Sequence, residues 1–150
     1  MAGGERPVGV LALQGSFAEH LACLGRLEGV RPLPVKTPAD LARAEALILP
    51  GGESTAQSRL LRRAGLWEPL QRRLEEGTCA GAILLAGEVV GETPHLGAMD
   101  IAVRRNAFGS QLDSFTARQA IAEVGPEERP LVFIRAPWIE RVGPRARVLC

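Results

Sequence analysis

Short apolar runs alternate along this chain with segments of helical period, and that alternation restricts it to a sheet with helices packed against it. "VGVLAL" (8–13) is one such run, and "QGSFAEHLACLGRLEG" after it sets Phe17, Leu21, Leu24 and Leu27 at helical spacing. Ser16 with Glu19 predicts a capping box at the start of that helix, and Gly29 a stop. "VRPLPV" contains two prolines, which a central strand could not hold, so it is assigned to a sheet edge. "TPADLARAE" predicts a short helix with Thr37 as cap and Pro38 at the first helical position. "ALILP" is the next buried strand, and after "GGES" two helices are expected, ending near Gly65 and Gly77. The residues after "TCAG" read as another helix. "MDIAVRR", "SFTARQAI", "LVFIRA" and "ARVLC" then read as strands, the first two with the alternation of half-exposed ones. The expected fold is α/β with a largely parallel sheet and helices on both faces, in a single domain over residues 1–150.

Charge and composition narrow the partners. Lys and Arg nearly balance Asp and Glu, leaving a formal charge of +1, so no broad attraction for nucleic acid or an anionic membrane is expected. The longest apolar stretches fall far short of the roughly 20 residues a membrane helix needs. "MAGGERP" leads directly into a strand-like run without the pattern of a signal peptide. Three cysteines without paired spacing suggest neither a disulfide framework nor a zinc site, which favours a reducing cytoplasm; no metal and no cofactor are expected.

In open parallel sheets ligands bind beyond the carboxyl ends of the strands, and three loops there carry site-like residues: "LQGS", "LPGGES" and "GTCAG". Gly51-Gly52 is a candidate source of oxyanion amides with Glu53 and Ser54 beside it, or else a tight turn and a helix cap. Cys79 is open to two readings. At the first turn of a helix it would feel the positive end of the macrodipole, which favours the thiolate, and the amide of Ala80 could face an oxyanion. As a free cysteine it could equally be a small core residue. Cys23, among leucines, is assigned to core packing. Arg105 and Arg135 end strand-like runs and could hold a carboxylate by two parallel bonds, although such arginines are often solvated. Arg59, Arg62, Arg63, Arg72 and Arg73 are read as a solvated helix face.

Taken in order, "VGVLALQG", "LILPGGEST", "GTCAGAILLA", "PHLGAMDIAVRRNAFGSQ" and "VFIRAP" resemble the glutaminase subunit of pyridoxal 5'-phosphate synthase, a class I glutamine amidotransferase family. The resemblance implies a flavodoxin-like three-layer fold, hydrolysis of L-glutamine to glutamate and ammonia, and a synthase partner that uses the ammonia in vitamin B6 biosynthesis. It implies Cys79 as nucleophile and Gly52 and Ala80 as oxyanion donors. Glu53 and Ser54 would hold the amino-acid end of glutamine, and Arg105, Ile134 and Arg135 would complete the pocket. Gln14 and Gly15 would lie in the loop linked to activation by the partner.

Two departures accompany the resemblance. The family has about five more residues between the helix glycine and the threonine of the elbow, forming the strand that carries the cysteine; here "EEG" runs directly into "TCAG". The family's His-Pro-Glu element, which supplies a base and an orienting carboxylate, has no counterpart after His95. The expected architecture therefore lacks the strand before the nucleophile and the C-terminal end. Two alternatives stay open: a docking subunit without hydrolysis, and another cysteine hydrolase of the same fold.

Overall fold

Strand β1 (Arg6–Leu11) lies between two parallel neighbours, β2 (Val30–Val35) and β3 (Ala46–Ile48), giving the order β2-β1-β3. The computed structural model describes residues 4–75, 82–105, 115–133 and 136–149. The chain forms two compact units, Met1–Leu85 and Ala86–Cys150. In the first, β1 pairs on both sides and buries Val10 and Leu11, while the two prolines of β2 sit on the edge strand, as a residue without an N–H requires. Among the described residues β3 has β1 as its one neighbour. The residues directly preceding Cys79 lie outside the described ones.

Helix α1 (Phe17–Leu24) packs on β1 and β2, and α2 (Pro38–Arg43) does so as well. The capping box forms at α2: the Thr37 side chain accepts from the Asp40 N–H, and the Asp40 carboxylate accepts from the Thr37 N–H. The box expected at Ser16 and Glu19 is absent. The Ser16 hydroxyl makes no cap bond and donates to the Gly51 carbonyl at 3.3 Å, because a tertiary acceptor competes with the local one. Helix α1 also ends earlier than expected, with Gly25 as its C-cap, so Leu27 lies beyond it and is exposed. Cys23 is exposed, not core: it falls off the stripe of Phe17, Leu21 and Leu24.

Helices α3 (Ser54–Arg63) and α4 (Trp67–Glu75) follow β3, with Gly65 in a left-handed conformation between them. Leu61, Leu66 and Leu70 are buried in this pair. Its arginines are not uniformly solvated. Arg62 stacks over the Trp67 ring at 3.7 Å, and Arg73 donates to the carbonyls of Leu41 and Ala44 at the end of α2.

The helix expected after "TCAG" is α5 (Ala82–Leu85) for only four residues before the chain becomes strand β4 (Ala86–Val89). The parallel ladder of β4 with β5 (Met99–Arg104) overrides helix propensity here, and Ala86 and Val89 are buried. β5 does not alternate: Ile101, Ala102 and Val103 are consecutively buried, because β4 lies on one side and antiparallel β8 (Trp138–Val142) on the other. β8, "WIERV", was not anticipated, and "ARVLC" is not a strand in its described residues, 146–149. β6 (Phe115–Ile121) and β7 (Gly125–Phe133) form an antiparallel hairpin with Phe115 stacked on Phe133. The fold is α/β and flavodoxin-like, parallel in the β1–β2, β1–β3 and β4–β5 pairings.

Candidate functional site

The loop after β1 and the turn after β3 leave neighbouring parallel strands at the same end, so the topology brings Gln14-Gly15 beside Gly51-Gly52. The Ser16 N–H donates to the Gly51 carbonyl at 3.0 Å. Gln14 Oε1 accepts from the Glu53 N–H at 3.0 Å. Gly15 has φ +98°, and a Cβ there would stand 2.1 Å from the Gly51 carbonyl oxygen. Any side chain at position 15 therefore forces the loops apart. A Cβ at Gly52 would stand 2.6 Å from Gln14 Oε1 and 2.8 Å from Gln57 Nε2, so a side chain there would displace these two amides.

Glu53 is the N-cap of α3. Its carboxylate accepts from the Thr55 N–H at 3.0 Å and the Ala56 N–H at 2.7 Å, satisfying two of the amides a helix start leaves open. The first turn of α3 is thereby held rigid while the backbone before it stays exposed. Ser54 is buried, and its hydroxyl has no hydrogen-bond partner among the described residues. A buried polar atom left unpaired costs about 1–3 kcal/mol, so this hydroxyl is a natural contact for a polar ligand.

Sequence reasoning missed Gln57. It is 2% exposed, and its Nε2 donates to the carbonyls of Gln14 and Pro50, each at 3.1 Å. The signal was present: Ser54, Gln57 and Leu61 fall at helical spacing on the buried side of α3, so an amide interrupts an apolar stripe.

Arg105 follows β5 in the second unit and is paired there. Its Nη1 donates to both carboxylate oxygens of Glu92, at 3.0 and 2.8 Å. The Arg105 side chain is 21% exposed, less open than the solvated alternative would have it. The carboxylate it holds thus comes from within the chain. Cys79, Ala80, Ile134 and Arg135 lie outside the described residues. Among the described residues no cluster of His, Cys, Asp or Glu could hold a metal ion, and no helix is long and apolar enough to cross a membrane.

Residues 10–149 match the SNO glutamine amidotransferase family. The pyridoxal 5'-phosphate synthase subunit PdxT of Acidothermus cellulolyticus is 52% identical, over 97% of this chain and 74% of that protein. The PdxT subunit of Deinococcus radiodurans is 55% identical, over 95% of this chain and 77% of its own length. A crystal structure of a glutamine amidotransferase superposes with a TM-score of 0.78 at 43% identity, covering 91% of this chain and 75% of the other.

Proposed function

The chain belongs to the SNO glutamine amidotransferase family, and from that premise we propose that it hydrolyses L-glutamine to glutamate and ammonia and delivers the ammonia to a pyridoxal 5'-phosphate synthase subunit in a hetero-oligomer. The observation that supports this best is the turn Gly52-Glu53-Ser54, which opens α3 against the Gln14-Gly15 loop and contains a buried hydroxyl without a partner among the described residues.

Each residue has a chemical task in this reading. The Cys79 thiolate attacks the side-chain carbonyl carbon of glutamine, and the oxygen becomes an oxyanion held by the N–H groups of Gly52 and Ala80. As the C–N bond breaks, the nitrogen takes a proton from water and leaves as ammonia, and the hydroxide so formed cleaves the thioester, releasing glutamate and restoring the thiolate. Glu53 offers negative charge to the substrate ammonium, and Ser54 a hydroxyl. Arg105, Ile134 and Arg135 serve the carboxylate side. Gln14 and Gly15 respond to docking of the synthase.

A glutamine analogue with a diazoketone in place of the amide tests the reading at the nucleophile. The expected result is one adduct, on Cys79, slowed by L-glutamine and absent in Cys79→Ala. Binding to the synthase subunit without any adduct would overturn hydrolysis and leave a docking subunit. An adduct that L-glutamine does not slow would point to a different cysteine hydrolase.

A further inference from the structure

We propose that Gln57 is a positioning residue that sets the register of the Gln14-Gly15 loop against the Gly51-Gly52 turn; its catalytic consequence rests on the reading of Gly52 as an oxyanion donor. The other contacts between the two loops come from loop residues and the cap of α3. Gln57 reaches them from inside α3, one turn beyond the cap, where Leu61 on the same face is fully buried. A rigid helix is a better reference for geometry than either loop.

One nitrogen serves both segments. Gln57 Nε2 carries two hydrogens and gives them to the Gln14 carbonyl and the Pro50 carbonyl, each at 3.1 Å. Both critical glycines abut that same nitrogen: a Cβ at Gly15 would stand 3.2 Å from it and one at Gly52 2.8 Å. The amide therefore occupies the space between the glycines while tying their flanking carbonyls together. Neither loop can shift without breaking one of these bonds. An apolar side chain of similar length would fill the space and leave both carbonyls without their donor. A carboxylate would place an acceptor against two acceptors.

The consequence falls on the transition state. Glutamine is held by other groups, whereas an oxyanion forms only during reaction, so a displaced Gly52 amide lowers the rate and leaves affinity intact.

The experiment compares the parent chain with Gln57→Met and Gln57→Glu. Hydrogen exchange is followed by mass spectrometry, together with Cys79 labelling by the diazoketone analogue over a range of concentrations. In Gln57→Met, exchange across residues 14–16 and 51–53 should quicken, with β1 and β2 unchanged. The limiting labelling rate should fall roughly tenfold at an unchanged half-saturating concentration, as expected when a reacting geometry loosens. Gln57→Glu should exceed it in both. Unchanged loop exchange would overturn the proposal. So would faster exchange throughout β1 and β2, which would reduce Gln57 to general stability. A change in half-saturating concentration alone would also overturn it. If the parent chain is not labelled, the glutaminase reading fails, while the exchange data still decide whether Gln57 clasps the loops.

Discussion

Gln14 Oε1 accepts a hydrogen bond from the Glu53 N–H at 3.0 Å, so the loop after β1 is tied to the cap residue of α3. Both residues are candidate site residues, and the bond makes the position of each depend on the other. Gln14→Ala removes the acceptor where water can replace it. A loss of about 0.5–1.5 kcal/mol is expected in urea unfolding. Stimulation of glutamine hydrolysis by the synthase subunit should fall more than that loss explains. Stimulation equal to the parent's would remove Gln14 from activation.

Glu53 has two roles that different substitutions separate. Glu53→Ala loses the cap bonds to the Thr55 and Ala56 N–H groups, at a cost of about 1 kcal/mol. Glu53→Gln keeps a capping oxygen but loses the charge. Both should raise KM for glutamine with a smaller effect on kcat, because the substrate ammonium is present in ground and transition states alike. Calorimetric titration of glutamine on the Cys79→Ala background checks the binding directly. Weaker binding in Glu53→Ala alone would assign the whole effect to the cap.

The pairing of Arg105 with Glu92 makes a prediction of opposite sign. If Arg105 serves the substrate carboxylate, Glu92 competes for it. Glu92→Gln should therefore lower KM several-fold, whereas Arg105→Ala should raise it by roughly ten- to a hundredfold, the value of about 1.5–3 kcal/mol for a charge-assisted bond. A KM that rises in Glu92→Gln would show instead that Glu92 orients Arg105 for the substrate.

Acid should weaken the start of α2 selectively. The Thr37 hydroxyl, then the Lys36 N–H, the Thr37 N–H and the Arg43 charge, hold the Asp40 carboxyl below its ordinary 3.8 against a smaller opposing effect of desolvation. A folded value below the unfolded one means that the contribution is present above the unfolded carboxylate range. It is lost as pH falls through the folded value. Thermal midpoints measured from neutral pH down through that range should fall more in the parent chain than in Asp40→Asn. Parallel curves would show that the cap does not depend on the charge.

Local chemistry made much of the first unit readable. The apolar run of β1, the prolines of β2 and the Thr37-Pro38 start of α2 each encode their structure within a few residues; β2 and α2 form where expected, and β1 is a strand set two residues earlier than the run 8–13. The alternation of strand and helix also announced an α/β fold, and the quoted motifs, read together, pointed to the amidotransferase family.

Long-range partners decided what local signals could not. "AGEV" becomes a strand because β5 offers a ladder, and Ser16 abandons its own helix because the Gly51 carbonyl is within reach. Gln57 looks like an ordinary polar helix residue until the fold places the carbonyls of Gln14 and Pro50 beside its amide. Arg105 reads as a carboxylate binder in the sequence, but only the fold supplies Glu92 as the carboxylate it holds. Residue types and spacing thus determine which chemistry is available. Which donor meets which acceptor depends on segments distant in sequence, because a buried polar group takes the partner that folding brings to it.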